Sequence, residues 1–352
     1  LREMGDRDCN CGAERAAFAV IRLLPNGSID STYGRRGVSL IRSVVRDWDE
    51  GPDAELSDIA LDPNGNALIY GLSTDVTSDG GADGHPYGLI YRLTPSGWID
   101  KSFGVGGRTL ESYAKNVDIA ASSTIGVSGD GAITTISWAA LDIGKGGDQT
   151  HWIVRRFNSS GAVDTGYGLL GARAIVLDHP GGYWLVGSAV APDRSVTLVG
   201  TLARAGTASI EGSQAQQSVV VRVAPDGTMD TGFGLNGVVK VPMPAGALTT
   251  NLYGFGRRAD GAIDLAEVYK PRPTRKIPWP DPVSDVRSIT NTGQLVADAS
   301  GQTVQRLPSL RNRQNFFVGQ ILASGDTLTL IGERDAVYVG QQSRITLMRV
   351  KP

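Results

Sequence analysis

The sequence predicts an all-β chain folded as a β-propeller of four-stranded antiparallel blades. Three observations carry that prediction. A phrase of the form Asp-x-x-aromatic-Gly occurs four times, as DSTYG (30–34), DKSFG (100–104), DTGYG (164–168) and DTGFG (230–234). A strand–turn–strand unit alternates with it along the chain. Glycine is abundant, 46 of 352 residues, and falls at regular places, as in a turn-rich β protein.

The phrase is the second half of a longer one, whose copies are FAVIRLLPNGSIDSTYGRRG, YGLIYRLTPSGWIDKSFGVGG, WIVRRFNSSGAVDTGYGLLG and VVVRVAPDGTMDTGFGLNG. Their arginines are Arg22, Arg92, Arg156 and Arg222. A degraded fifth copy, VRSITNTGQLVADASG, is aligned through Arg287, with Val296 and Ala299 in place of the Asp and the aromatic. The closing segment ITLMRV carries Arg349. The arginines recur at spacings of 70, 64, 66, 65 and 62 residues. A period of this size points to a repeat architecture.

The intervening unit reads DIALDPNGNALIYG (58–71), STIGVSGDGAITTIS (123–137), VGSAVAPDRSVTLVG (186–200), LYGFGRRADGAIDLAEV (252–268) and FVGQILASGDTLTLIG (317–332). Its centres are hairpin turns, because Gly, Asn and Asp tolerate positive φ. No segment sustains helical periodicity. Each period therefore holds strands a and b around this turn, then c and d around the Asp-x-x-aromatic-Gly phrase. Iterating four strands around a ring protects the sheet edges that an open stack would expose. Five a–b hairpins predict five blades, or six if strands upstream of this sequence supply another hairpin. The ring is expected to close by pairing the N- and C-terminal segments. Residues 1–17 read as an extension and 18–352 as one propeller domain.

Within each copy the Arg and the Asp are eight residues apart around a turn, which predicts that they stand opposite each other and pair: Arg22 with Asp30, Arg92 with Asp100, Arg156 with Asp164, Arg222 with Asp230. Tyr33, Phe103, Tyr167 and Phe233 are expected to fill slots between blades. Ile29, Ile99, Val163 and Met229 are expected to plug an apolar site beneath the turn. These residues thus read as a structural joint, since a joint must recur once per blade while a catalytic group need occur once.

The pattern Arg-x-x-x-x-Gly-x-apolar-Asp-x-x-aromatic-Gly-x-x-Gly, with its Asp-Gly hairpins, resembles the delta-60 repeat family of bacterial β-propeller proteins. The resemblance runs from Phe18 through nearly the whole chain. It implies a propeller and an exported bacterial protein, periplasmic or at the cell surface. It implies no single activity and no catalytic set.

Charge and motif content narrow the function further. With Lys+Arg at 34 and Asp+Glu at 36, the near-neutral balance does not suggest a nucleic-acid partner. No apolar run reaches the roughly 18 residues of a membrane-spanning helix. Cys9 and Cys11 in DCNC, one residue apart, would strain a mutual disulfide and read as free thiols or a partner disulfide. The first residue, Leu1, suggests that a signal peptide has been removed. No nucleophile elbow, zinc-protease, phosphate-loop or haem motif is present. Asp58 and Asp118, near the starts of two a strands, form a candidate acid/base pair, against a strand-capping role.

The b–c and d–a connections share one face of a propeller, and here they are long and irregular, as binding loops on a rigid scaffold are. That face is expected to carry the candidate binding residues Asp47, Trp48, Asp49, His85, His151, Trp152, His179, Trp184, Arg272 and Trp279. The Asp/Gly-rich loops DGGADG (79–84) and DIGKGGD (142–148) offer Asp79, Asp83, Asp142 and Asp148 as weak Ca²⁺ ligands, and no other cofactor is suggested. The first functional expectation is a non-catalytic binding or scaffold propeller that engages a protein or glycan partner. The alternatives are a carbohydrate-active or related hydrolase with carboxylates at the channel mouth, and a structural subunit of a larger surface assembly.

Overall fold

A computed structural model describes residues 17–42, 54–73, 87–111, 117–141, 149–179, 182–203, 215–277, 283–297, 305–306, 316–324, 327–334 and 344–350. These residues form strands only, joined by turns and irregular segments. Strands β3 (Ala54–Leu61), β4 (Ala67–Ser73), β5 (Tyr87–Leu93) and β6 (Arg108–Glu111) make the first four-stranded antiparallel blade. The second is β7 (Val117–Val127), β8 (Ile133–Leu141), β9 (Gln149–Phe157) and β10 (Ala172–Ile175). The third is β11 (Tyr183–Val190), β12 (Val196–Ala203), β13 (Ala215–Val223) and β14 (Val238–Val241). The fourth is β15 (Ala247–Arg257), β16 (Ile263–Pro271), β17 (Val283–Ile289) and β18 (Gln305–Arg306).

Two smaller sheets bracket these blades. At the start, β1 (Ala17–Ile21) pairs with β2 (Val38–Arg42), a c–d hairpin; at the end, β19 (Phe316–Ser324), β20 (Thr327–Arg334) and β21 (Arg344–Val350) form an a–b–c sheet. The fifth a–b hairpin expected from the sequence is β19–β20. Among the described residues β1 and β2 pair only with each other, and β21 pairs only with β20. Consecutive a strands pack on one another, β3 on β7, β7 on β11, β11 on β15 and β15 on β19, so blades follow chain order.

The core lies between blades rather than within them. One cluster joins Ile136, Trp152 and Tyr167 of the second blade to Leu198, Val219 and Val221 of the third. Another joins Val199, Val220 and Phe233 to Leu265 and Ile289 of the fourth. The first blade is covered on one side by Tyr33 and Ile41 of the β1–β2 unit, and on the other by Ile125, Ile133 and Phe157. This explains β12, VTLVGTLA, which is buried along its whole length. A strand with a blade on each side loses the alternation of a half-exposed strand and reads as a continuous apolar run.

Each of the five a–b ladders carries a register shift on its inner strand: between Leu56 and Asp58, Ser122 and Thr124, Leu185 and Gly187, Leu252 and Gly254, and Val318 and Gln320. An extra residue on one strand sharpens the local twist. It recurs at the same place in every inner hairpin, a second periodic device that the turn sequences do not announce.

Candidate functional site

The Asp-x-x-aromatic-Gly phrase is a joint between blades. The Asp N–H donates to the carbonyl of the arginine eight residues before it, at 2.9 to 3.0 Å in all four copies, so the pair is opposed across the hairpin as expected. The aromatic ring then turns out of its own sheet and sits under its own arginine, with the guanidinium carbon 4.8, 4.6, 4.1 and 4.1 Å from the ring centres of Tyr33, Phe103, Tyr167 and Phe233. All four rings are buried. The glycine after each ring donates its N–H to the c–d turn of the next blade: Gly34 to Ser96, Gly104 to Ser160, Gly168 to Asp226 and Gly234 to Thr292, at 2.7 to 3.1 Å. The arginine crosses as well, donating through Nη1 to the carbonyl of Pro95, Ser159, Pro225 or Asn291.

The side-chain ion pair is made in only two of the four copies. Arg22 reaches Asp30 at 2.7 Å and Arg92 reaches Asp100 at 2.8 Å. Arg156 and Arg222 instead send Nη2 to the a–b turn of the next blade, to the carbonyls of Arg194 at 2.7 Å and Gly261 at 3.0 Å. Burial outweighs the nearby carboxylates there and lowers the pKa of both guanidinium groups. Ile29, Ile99 and Val163 are not buried plugs; they are 54%, 39% and 45% exposed, and only Met229 packs against a core cluster. They bridge Leu23, Leu93 and Phe157 at the hairpin neck, where the short turn leaves their outer face to water.

The degraded fifth copy is displaced by one residue from its expected register. The Val296 N–H donates to Ser288, so Ser288 and not Arg287 occupies the repeat-arginine position. Side chains alternate across a strand, so Arg287 points to the other face. There it is 1% exposed and pairs through Nε with Glu267 at 2.9 Å, while Ser218 of the preceding blade donates to the same carboxylate. Burial raises the Glu267 pKa, and Arg287 opposes that shift. A comparable enclosed carboxylate, Glu111, joins the first two blades: Tyr70 and Thr135 donate to it at 2.9 and 2.8 Å, and Arg155 lies 3.7 Å away. These carboxylates were not among the sequence-derived candidates. Each is committed to an interblade network.

The rim formed by the b–c and d–a connections differs from the opposite one. Residues 62–66, 128–132, 191–195 and 258–262 join a to b strands, whereas residues 74–86, 142–148, 204–214 and 272–282 join b to c strands. Asp47, Trp48, Asp49, His85, Trp279 and the Ca²⁺ candidates Asp79, Asp83, Asp142 and Asp148 lie outside the described residues, as do Cys9 and Cys11. His179, Trp184 and Arg272 are on this rim. His179 bonds the Ala203 carbonyl through Nε2 at 2.6 Å, and half-buried Trp184 is the second residue of β11. Arg272 is exposed and donates from Nε to Ala247 at 3.3 Å. Trp152 is a correction: it is fully buried, edge-on to Tyr183 with ring centres 5.4 Å apart, because it shares the inward face of β9 with Val154 and Arg156. His151 is also buried, and desolvation lowers its pKa. Asp58 caps rather than waits for a substrate, accepting N–H groups from Ile59 at 2.8 Å and from Ile125 of the next blade at 3.0 Å. Burial raises its pKa, and those two bonds pull against the rise. Asp118 is in β7 opposite Ala140.

The family comparison agrees with the architecture. Residues 13–33 and 200–233 match the family described as a β-propeller domain of unknown function, DUF5122. Both stretches include parts of the repeat described above. No curated protein matches the chain in sequence. Among solved structures, the PQQ-bound aldose sugar dehydrogenase of Streptomyces coelicolor is similar at 12% identity and a TM-score of 0.39, covering 95% of this chain and 86% of that one. A Bacillus subtilis levansucrase variant is similar at 12% identity and a TM-score of 0.39, covering 88% and 89%. The polysaccharide lyase Uly1 is similar at 8% identity and a TM-score of 0.41, covering 83% and 76%.

Proposed function

We propose that the chain is a binding or scaffold propeller, exported from a bacterium, that engages a protein or glycan partner through the rim of its b–c and d–a connections. One observation carries the reading. The repeat joints give the short-turn rim closely similar units, while the long and irregular connections fall between strand ends on the opposite rim. Rigid scaffolds concentrate recognition in such connections. His179, Trp184 and Arg272 supply an imidazole, a half-exposed indole and a guanidinium there.

A hydrolase acting through Asp58 and Asp118 is the weaker reading, because Asp58 spends its two oxygens on backbone N–H groups. The test replaces residues 272–282 with a short Gly-Ser turn and compares capture of cell-envelope proteins and arrayed glycans with the wild type. Loss of one reproducible ligand, with the thermal midpoint unchanged, is the expected result. Identical capture by both proteins would refute the assignment of this rim.

A further inference from the structure

On the short-turn rim, a cleft of about 500 Å³ opens between the first and second blades. Its walls are polar and come from four turns or strands: Asp62, Asn64 and Asn66 from one a–b turn, Asp130 from the next, Arg92, and Ser159. That volume lies within the range of small-molecule sites.

The neighbouring joints explain why this cleft is open. Between the second and third blades, the third turn residue is Asp130, and Arg194 of the following turn reaches back to bond it. Arg156 also crosses to that turn. Between the third and fourth blades the third turn residue is Asp193, which feels the charge of Arg257, and Arg222 crosses to Gly261. Between the first and second blades both charges are gone: the acid is Asn64, and the place of Arg194 is taken by Gly131. Arg92 keeps its Nη2 on Asp100 and does not cross to Gly131. The cross-joint arginine is therefore missing together with its acidic partner, and the space it would fill remains.

The groups left in that space are preformed. Asp62 Oδ1 accepts the N–H groups of Asn64 and Asn66, both at 2.9 Å, and Oδ2 accepts Asn66 Nδ2 at 2.7 Å. This fixes the Asn66 amide with its oxygen unused. Among the described residues the side chains of Asn64 and Ser159 bond to nothing, and the Arg92 guanidinium is held in place by Asp100 and the Ser159 carbonyl. Amides, a hydroxyl and a carboxylate edge gathered in one cleft suit adjacent hydroxyl groups, which both donate and accept. No aliphatic or aromatic side chain other than Pro63 lines the cleft.

We infer that the cleft between the first two blades binds a small neutral polyhydroxylated ligand, a mono- or disaccharide or a related polyol. This site is on the rim opposite the proposed partner surface and stands or falls separately from it. The test is saturation-transfer-difference NMR on the intact chain with glucose, galactose, mannose, N-acetylglucosamine, maltose, cellobiose and glycerol, and with arginine methyl ester as a charged control. The double variant Asn64→Asp, Gly131→Arg rebuilds the filled joint of the next blade. Arg194 adopts a φ of 74° and Gly131 one of 84°, so an arginine has a precedent in that backbone shape. A second variant, Ser159→Ala, removes a hydroxyl without filling the space. The expected result is transfer to at least one saccharide or polyol, abolished in the double variant and weakened about tenfold in affinity by Ser159→Ala, as loss of one hydrogen bond implies. No transfer to any of them, equal transfer to wild type and double variant, or transfer to the arginine ester alone would each overturn the proposal.

Discussion

Arg258 holds Asp264 at two points, Nε to Oδ2 at 2.7 Å and Nη2 to Oδ1 at 2.6 Å, and the carboxylate is fully enclosed. Asp264 faces Ser288, whose hydroxyl also donates to it at 2.6 Å. In the other blades the residue in this place is Leu68, Thr134 or Thr197, and it faces the repeat arginine. The fourth blade has lost the arginine at 288 and regained a guanidinium from the other hairpin, together with an acid to receive it.

Removing one half of that pair should be far worse than removing both. Arg258→Ala leaves a buried carboxylate with the Ser288 hydroxyl but no counter-charge, which costs about 3–5 kcal/mol. The double variant Arg258→Ala, Asp264→Thr recreates the residues of the third blade, Ala191 and Thr197, and should regain most of that loss. Urea unfolding of the three proteins checks it; a double variant as unstable as the single one would contradict the compensation.

The joint acids should not be equivalent. Asp100 binds Arg92 and also caps Ser102 through its N–H and hydroxyl, at 3.0 and 2.6 Å. Asp164 caps only the Gly166 N–H, at 3.2 Å, because Gly166 has no hydroxyl and Arg156 has crossed to the next blade. Asp100→Ala should therefore destabilise by about 1 kcal/mol more than Asp164→Ala, the worth of a sheltered charge-assisted bond. Equal losses in denaturant titrations would mean that neither the Arg92 pair nor the Ser102 hydroxyl bond stabilises this joint.

Much of this was legible in the sequence because the joint is local and repeated. The turn, the opposed Arg and Asp, and the outward-turned ring all lie within one short phrase, so four copies display the same constraint. The fifth copy was misread by one residue because VRSI places an arginine beside the correct position. The better ruler was the turn glycine, which follows the arginine by five residues in Arg22–Gly27 and Arg222–Gly227, and so points from Gly293 back to Ser288. Trp152, expected on the binding rim, is four residues before Arg156 in β9. Counting by twos from Arg156 puts it on the interblade face, where it is buried. Glu111 and Glu267 gave no local signal. Their partners Tyr70, Thr135 and Ser218 are 41, 24 and 49 residues away; Tyr70 meets Glu111 only when the whole blade has formed, and Thr135 and Ser218 meet their carboxylates only once blades stack.

The buried imidazole should make stability depend on pH. Desolvation lowers the folded-state pKa of His151 below 6.5, and Tyr183 Oη stands 3.4 Å from its Nδ1. Between those two values the unfolded chain takes up a proton that the folded chain does not. The contribution is therefore complete above the unfolded value and is lost as pH falls, by at most about 1.4 kcal/mol per pH unit. Unfolding midpoints from about pH 8 to about pH 5 should fall in the wild type and fall less steeply in His151→Gln. Parallel curves would assign the acid sensitivity to other groups.

Two turn glycines with the same backbone shape should respond differently to alanine. Gly27 has φ 82° and Gly161 has φ 88°, so both substitutions carry the left-handed strain of about 1–2 kcal/mol. They differ in what a methyl group would meet. At Gly27 nothing lies within 4 Å, whereas at Gly161 the new carbon would stand 2.5 Å from Thr109 Oγ1 and 2.8 Å from Phe103 Cε2. Thr109 donates to the Gly161 carbonyl at 2.8 Å, and Phe103 is fully buried beneath Arg92, so neither can withdraw without opening the joint. Gly161→Ala should therefore cost several times what Gly27→Ala costs. It should also speed amide exchange at Gly104, whose N–H bonds Ser160 across the joint at 2.8 Å. Equal thermal shifts for the two variants, with Gly104 exchange unchanged, would show that the ring and turn do not lock the first two blades together.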